Sequence, residues 1–85
     1  MENFEGKIAL VTGGARGLGE AICRNLVEAG ATVIMVDIQA DLLDKSASQL
    51  EASGHKVQPM VVDVCDELQV EKAIKKIAAG GDRDP

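Results

Sequence analysis

Residues 7–12, KIALVT, are an apolar run of strand length without alternation, and the run breaks directly into GGARGLG. An unalternating run suits a strand covered on both faces. Gly13, Gly14, Gly17 and Gly19 crowd one turn, and glycine is placed where the chain takes a positive φ or where something approaches the backbone closely. Beyond the turn, Leu18, Ile22, Leu26 and Ala29 recur at helical spacing, with Glu20, Arg24 and Glu28 on the other face and Gly30 as the stop. A strand, a glycine turn and a helix in immediate succession restrict the chain to architectures that place helices against a buried sheet.

The same unit returns twice. TVIMVD, residues 32–37, reads as a second buried strand, and the helix that follows puts Leu43, Ala47 and Leu50 on one face before Gly54. KVQPMVVD, residues 56–63, reads as a third strand; Pro59 cannot donate to a ladder, which places this strand at a sheet edge. A last helix from about Asp66 to Ala79 turns Val70, Ile74 and Ile77 inward and Lys72, Lys75 and Lys76 to solvent. Strands alternating with helices imply parallel pairing through crossovers, so the expected fold is α/β, a βαβαβα unit with three parallel strands in the order 3-2-1. That is half of a doubly wound sheet.

The chain has 85 residues, room for one thin core. A net charge of −5 argues against nucleic acid or an anionic membrane as partner. No apolar run approaches the ~18 residues of a membrane span. The opening MENFEGK is acidic and lacks the basic and apolar regions of a signal peptide, so a cytoplasmic location is expected. Cys23 and Cys65 form neither a C-x-x-C nor a metal-ligand spacing and read as two unrelated reduced thiols. His55 stands alone after Gly54. No metal site is expected. The chain has no Tyr and no Trp, and its single aromatic is Phe4, so any step that uses a phenol as acid or base is excluded.

In a doubly wound sheet, ligands bind beyond the carboxyl ends of the strands where the order reverses, here the end of the first strand. Taken alone, the glycine turn serves either close packing of helix on strand or the approach of a phosphate to a helix N-terminus. Asp37 ends the second strand 18 residues beyond Gly19, near the ~20 expected for a carboxylate that accepts from a ribose hydroxyl. The G-x-G-x-x-G pattern is absent, and T-G-x-x-x-G-x-G stands in its place as Thr12, Gly13, Gly17 and Gly19. With Asp37 and the pair Asp63–Val64, it resembles the short-chain dehydrogenase/reductase family over residues 7–79.

The resemblance implies a partial Rossmann fold. Residues 1–79 would be the amino-terminal half of an NAD-binding domain and residues 80–85, GGDRDP, a polar tail. It implies that Thr12, Gly13, Arg16, Gly17, Leu18 and Gly19 border a dinucleotide's phosphates, with the Thr12 hydroxyl bracing the turn. Asp37 and Ile38 would hold the adenosine ribose, and Asp63 and Val64 would contact the adenine ring. Arg16 is ambiguous, since a basic residue there often accompanies NADP in relatives, but the Asp37 carboxylate repels a 2′-phosphate and is expected to prevail, making NAD the cofactor and NADP the lesser ligand. The family's fourth strand, its NNAG-like motif and its Ser and Tyr-x-x-x-Lys catalytic group are missing, so no catalytic residue is expected in this chain. Three readings stay open: the NAD-binding portion of an oxidoreductase acting on alcohols or carbonyls, a stand-alone nucleotide-binding or regulatory module, and a truncation product without function. The abrupt tail favours truncation. The first strand would lie at a free edge, a route to self-association.

Overall fold

The computed structural model describes residues 4–79; the tail at 80–85 lies outside the described residues. Its elements run β1 (Ile8–Thr12), α1 (Gly17–Glu28), β2 (Thr32–Asp37), α2 (Ala40–Ala52), β3 (Val57–Val61) and α3 (Glu67–Ala78). The three strands form one parallel sheet in the order β1-β2-β3, the expected 3-2-1 counted from the other edge. β2 is the central strand, and Ile8 pairs with Thr32 and Val33 with Val57 in register. No helix among the described residues is long and apolar enough to cross a membrane.

β2 is covered on both faces, which explains why it reads as apolar throughout. β1, expected to be covered in the same way, exposes Ile8, Leu10 and Thr12, because α3 packs over β2 and β3 and leaves that face of β1 open. On one face, Cys23 and Val27 of α1 and Leu43, Ala47 and Leu50 of α2 close over Val33, Met35 and Val57. On the other, Val70, Ala73 and Ile77 of α3 pack on Ile34, Val36, Met60 and Val62. Burial, with a smaller contribution from Glu20, pushes the Cys23 thiol above its ordinary 9.0, so it packs as a small apolar group. Cys65 is exposed, and both thiols are free.

β3 is an edge strand, as Pro59 requires. Lys56 O accepts from Val33 N–H and Val62 N–H donates to Asp37 O. By the alternation of a ladder, the even-numbered residues between them face β2, and Pro59 turns its missing donor outward.

Two helix faces differ from expectation. In α1 the inward positions are Cys23 and Val27 with Leu26 half-buried, while Leu18 is 77% exposed and Ile22 is also exposed. The cause is Gly19, which lies so close to the turn that a Cβ there would collide with the Gly13 carbonyl. That contact sets the roll of the helix and carries positions 19, 23 and 27 inward as one i, i+4 row. In α3, Ile74 is 56% exposed rather than inward. The helix sits over β2 and β3, so its stripe is Val70, Ala73 and Ile77, and Ile74 flanks an apolar trough floored by Leu10 of β1.

Candidate functional site

The carboxyl ends of β1 and β2 meet the glycine turn and the start of α1. Thr12 ends β1 and is exposed. Gly14 is buried, and its N–H donates to Val36 O at 3.0 Å, which ties the turn to β2. Gly17 has φ +59°, and a Cβ built there meets nothing within 4 Å; the same holds at Gly13. The outer surface of the turn is therefore bare backbone open to a ligand, and its inner surface is closed by the contact between Gly19 and Gly13.

Arg16 is the N-cap residue of α1, in extended conformation, with no side-chain capping hydrogen bond. The first intrahelical bond is Glu20 N–H to Arg16 O. The N–H groups of the first turn, at Gly17, Leu18 and Gly19, thus stand at the positive end of the helix without a protein cap, which suits an anion.

Asp37 ends β2 and is 6% exposed. Its carboxylate accepts from Gln39 N–H at 3.0 Å and from Ala15 N–H at 3.1 Å. The Gln39 N–H is the main cause holding this carboxyl below its ordinary 3.8; burial pushes the other way, and the Ala15 and Ile38 N–H groups and the Arg16 guanidinium add to the lowering. Asp37 is therefore an ionised acceptor at neutral pH. A carboxylate offers about four lone-pair directions, so two taken by backbone leave room for hydroxyl donors. Beside it, with the Gln39 amide oxygen turned toward Arg16, the guanidinium donates two hydrogen bonds to that oxygen at 3.0 and 3.2 Å. Ile38, 57% exposed, lies next to this group.

Asp63 and Val64 follow β3. The Asp63 N–H donates to Gln69 Oε1 at 2.9 Å and its Oδ1 accepts from Cys65 N–H at 2.9 Å, so its carboxylate shapes its own loop. Asp66 caps α3 by accepting from Leu68 and Gln69 N–H. Val64 is exposed and lines the trough with Thr12 and Leu10.

Residues that the sequence did not single out complete the arrangement. Ala15 is buried and supplies one of the two donors to Asp37. Gln39 orients both Asp37 and Arg16. Ser46 reaches the turn from α2. Its signal in the sequence is a serine three residues after Leu43 on an otherwise apolar stripe, where a buried hydroxyl needs a partner.

A family profile, short chain dehydrogenase, matches residues 7–83. The chain is 37% identical over 76 residues to 2,3-dihydro-2,3-dihydroxybenzoate dehydrogenase of Bacillus subtilis, a match covering 89% of this chain and 29% of that protein. Its fold superposes on LigD from Sphingobium with a TM-score of 0.89 at 28% identity, covering 98% of this chain and 35% of that one. A short chain dehydrogenase/reductase from Burkholderia phymatum, solved in complex with NAD, superposes with a TM-score of 0.82 at 28% identity, covering 88% and 27%. The chain thus spans about a third or less of the length of these relatives. A profile match over nearly the whole chain, and a strand, turn and helix laid out as in these structures, place it in the short chain dehydrogenase family.

Proposed function

We propose that the chain binds the adenosine and pyrophosphate portion of NAD, as the cofactor-binding part of an oxidoreductase that acts on alcohols or carbonyls. The observation that carries this reading is Asp37. An ionised carboxylate fixed by two backbone donors, with acceptor capacity left over, stands beside the uncapped start of α1. The open space over Gly13 and Gly17 fits a pyrophosphate lying on bare backbone, with the α1 N–H groups donating to it. Asp37 accepts from the ribose hydroxyls, and Ile38 and Val64 offer apolar surface to the adenine. Bound NAD supplies the nicotinamide that exchanges hydride.

Asp37 also sets the preference for NAD. A 2′-phosphate would meet its charge at contact distance, whereas Arg16 already spends two donors on Gln39. Titration calorimetry with NAD and NADP tests this. NAD should bind with a dissociation constant on the order of 0.1 mM to several mM, since one wall of a crevice buries only part of a dinucleotide. NADP should bind at least about tenfold more weakly. Equal or tighter NADP binding would show that Arg16 governs the site and sink the assignment to Asp37. Asp37→Ala should narrow the preference.

The chain has no tyrosine, and the reading gives it no proton-transfer step. An assay of NADH formation with secondary alcohols should record no turnover from the purified chain.

A further inference from the structure

The inner face of α2 carries one hydroxyl among apolar side chains. Ser46 is buried beside Leu43, Ala47 and Leu50. Its Oγ lies 3.1 Å from Ala15 O and 3.0 Å from Glu20 Oε2. A hydroxyl has one proton, so these two acceptors share it. Their alternatives differ. Glu20 is partly exposed and has Arg24 at 4.0 Å. Ala15 is buried, precedes α1, and its carbonyl receives no other hydrogen bond among the described residues. The N–H of the same residue donates to Asp37. Ala15 is thus held at both of its backbone polar groups, by β2 on one side and by α2 on the other.

We infer that Ser46 is a positioning residue for the dinucleotide: by holding the Ala15 carbonyl from beneath, it fixes the glycine turn and the first N–H groups of α1 in the orientation that receives the cofactor's phosphates. This role rests on the reading of the turn as the phosphate site. Ser46 does not itself touch the ligand. Without its hydroxyl the Ala15 carbonyl is buried and unpaired, a state that proteins avoid. It regains a partner by turning toward water, and that rotation moves the peptide joining Ala15 to Arg16 at the start of α1. The Ala15 N–H that orients Asp37 loosens with it. The propensity of α2 is not at issue, since alanine favours helix more than serine does.

Amide hydrogen exchange and NAD titration of the 85-residue chain test the role together, on the unmodified protein and on Ser46→Ala, Ser46→Cys, Ser46→Thr and Leu50→Val. Ser46→Ala should speed exchange at Ala15 N–H about tenfold relative to the β2 amides and weaken NAD binding roughly 5- to 20-fold. Ser46→Cys, of similar size but a weak donor, should shift both in the same direction and serves if the alanine variant does not fold. Ser46→Thr keeps the hydroxyl and should return both readings to within about threefold of the unmodified chain. Leu50→Val loosens the same helix without touching Ala15 and should leave the exchange ratio and the affinity unchanged. Unaltered NAD affinity in folded Ser46→Ala and Ser46→Cys, with the unmodified chain binding, overturns the positioning role. Failure of the unmodified chain to bind NAD overturns the cofactor reading and this role with it, and the exchange ratio then tells that failure apart from loss of the Ser46 clamp on Ala15.

Discussion

At the scale of single residues, the site depends on a carboxylate and on two glycines needed for different reasons. Asp37 has a folded-state pKa below its ordinary 3.8, chiefly because Gln39 N–H donates to it. A lowered carboxyl pKa adds stability that is fully present above the unfolded value and is lost as pH falls through the folded one. Urea midpoints should therefore carry the full Asp37 contribution at neutral pH, without changing with pH there on its account, and decline below about pH 3.8. Asp37→Asn should lower the midpoint at neutral pH and flatten that decline; an unchanged acid limb would show that Asp37 is not its source. The glycines separate by geometry. At Gly17 a side chain has space but the backbone is left-handed, so Gly17→Ala should cost about 1–2 kcal/mol of strain. At Gly19 a side chain has no space, because the Gly13 carbonyl occupies its place. Gly19→Ala should push α1 off the turn, costing about 1–3 kcal/mol and also changing the α1 amide shifts. Urea denaturation with amide spectra of both variants checks the contrast, and a Gly19→Ala spectrum superposing on the parent would contradict it.

At the scale of elements, each helix is held by the stripe it turns to the sheet. The two faces of the molecule are unequal. α1 and α2 together enclose Met35, Val33 and Leu43, each no more than 1% exposed, whereas α3 has no fully buried residue. Leu43→Ala should consequently cost about 2–5 kcal/mol, the range for a large-to-small change in a closed core. Ile74→Ala should stay within about 0.5–1 kcal/mol, because its side chain flanks an open trough. Thermal or urea unfolding of the pair measures the difference. Equal losses would mean that α3 covers β1 in solution and that the trough beside Ile74 is closed.

At the scale of the whole molecule, β1 pairs only with β2 among the described residues. Thr32 N–H donates to Lys7 O, so by alternation Ile8, Leu10 and Thr12 turn their backbone groups to the free edge. Ile8 and Leu10 are about half exposed on the face that α3 leaves open. An apolar strand with unpaired backbone is a template for association. We expect dimers or larger species at micromolar concentration by light scattering, and Leu10→Lys should shift them toward monomer. A monomer at high concentration without that substitution would contradict the expectation.

Sequence by itself determined the alternation of elements, because burial on both faces demands unbroken apolar runs and a one-sided helix demands a 3.6-residue stripe. β2 falls at residues 32–37 as read, α2 buries Leu43, Ala47 and Leu50, and Pro59 marks an edge strand, each a consequence of local chemistry. The T-G-x-x-x-G-x-G turn and Asp37 were legible for the same reason, since a positive φ and a strand-end carboxylate are visible residue by residue. The roll of α1 was not. It depends on Gly19 meeting Gly13 across the turn, and a stripe of Leu18, Ile22 and Leu26 reads equally well until that contact exists. Ile74 falls off the inward stripe of α3 because the position of that helix over β2 and β3 is a property of the packed sheet. The holding of Ala15 by Asp37 and Ser46 joins residues 22 and 31 positions apart, and only the packed tertiary structure brings such distant partners within hydrogen-bonding distance.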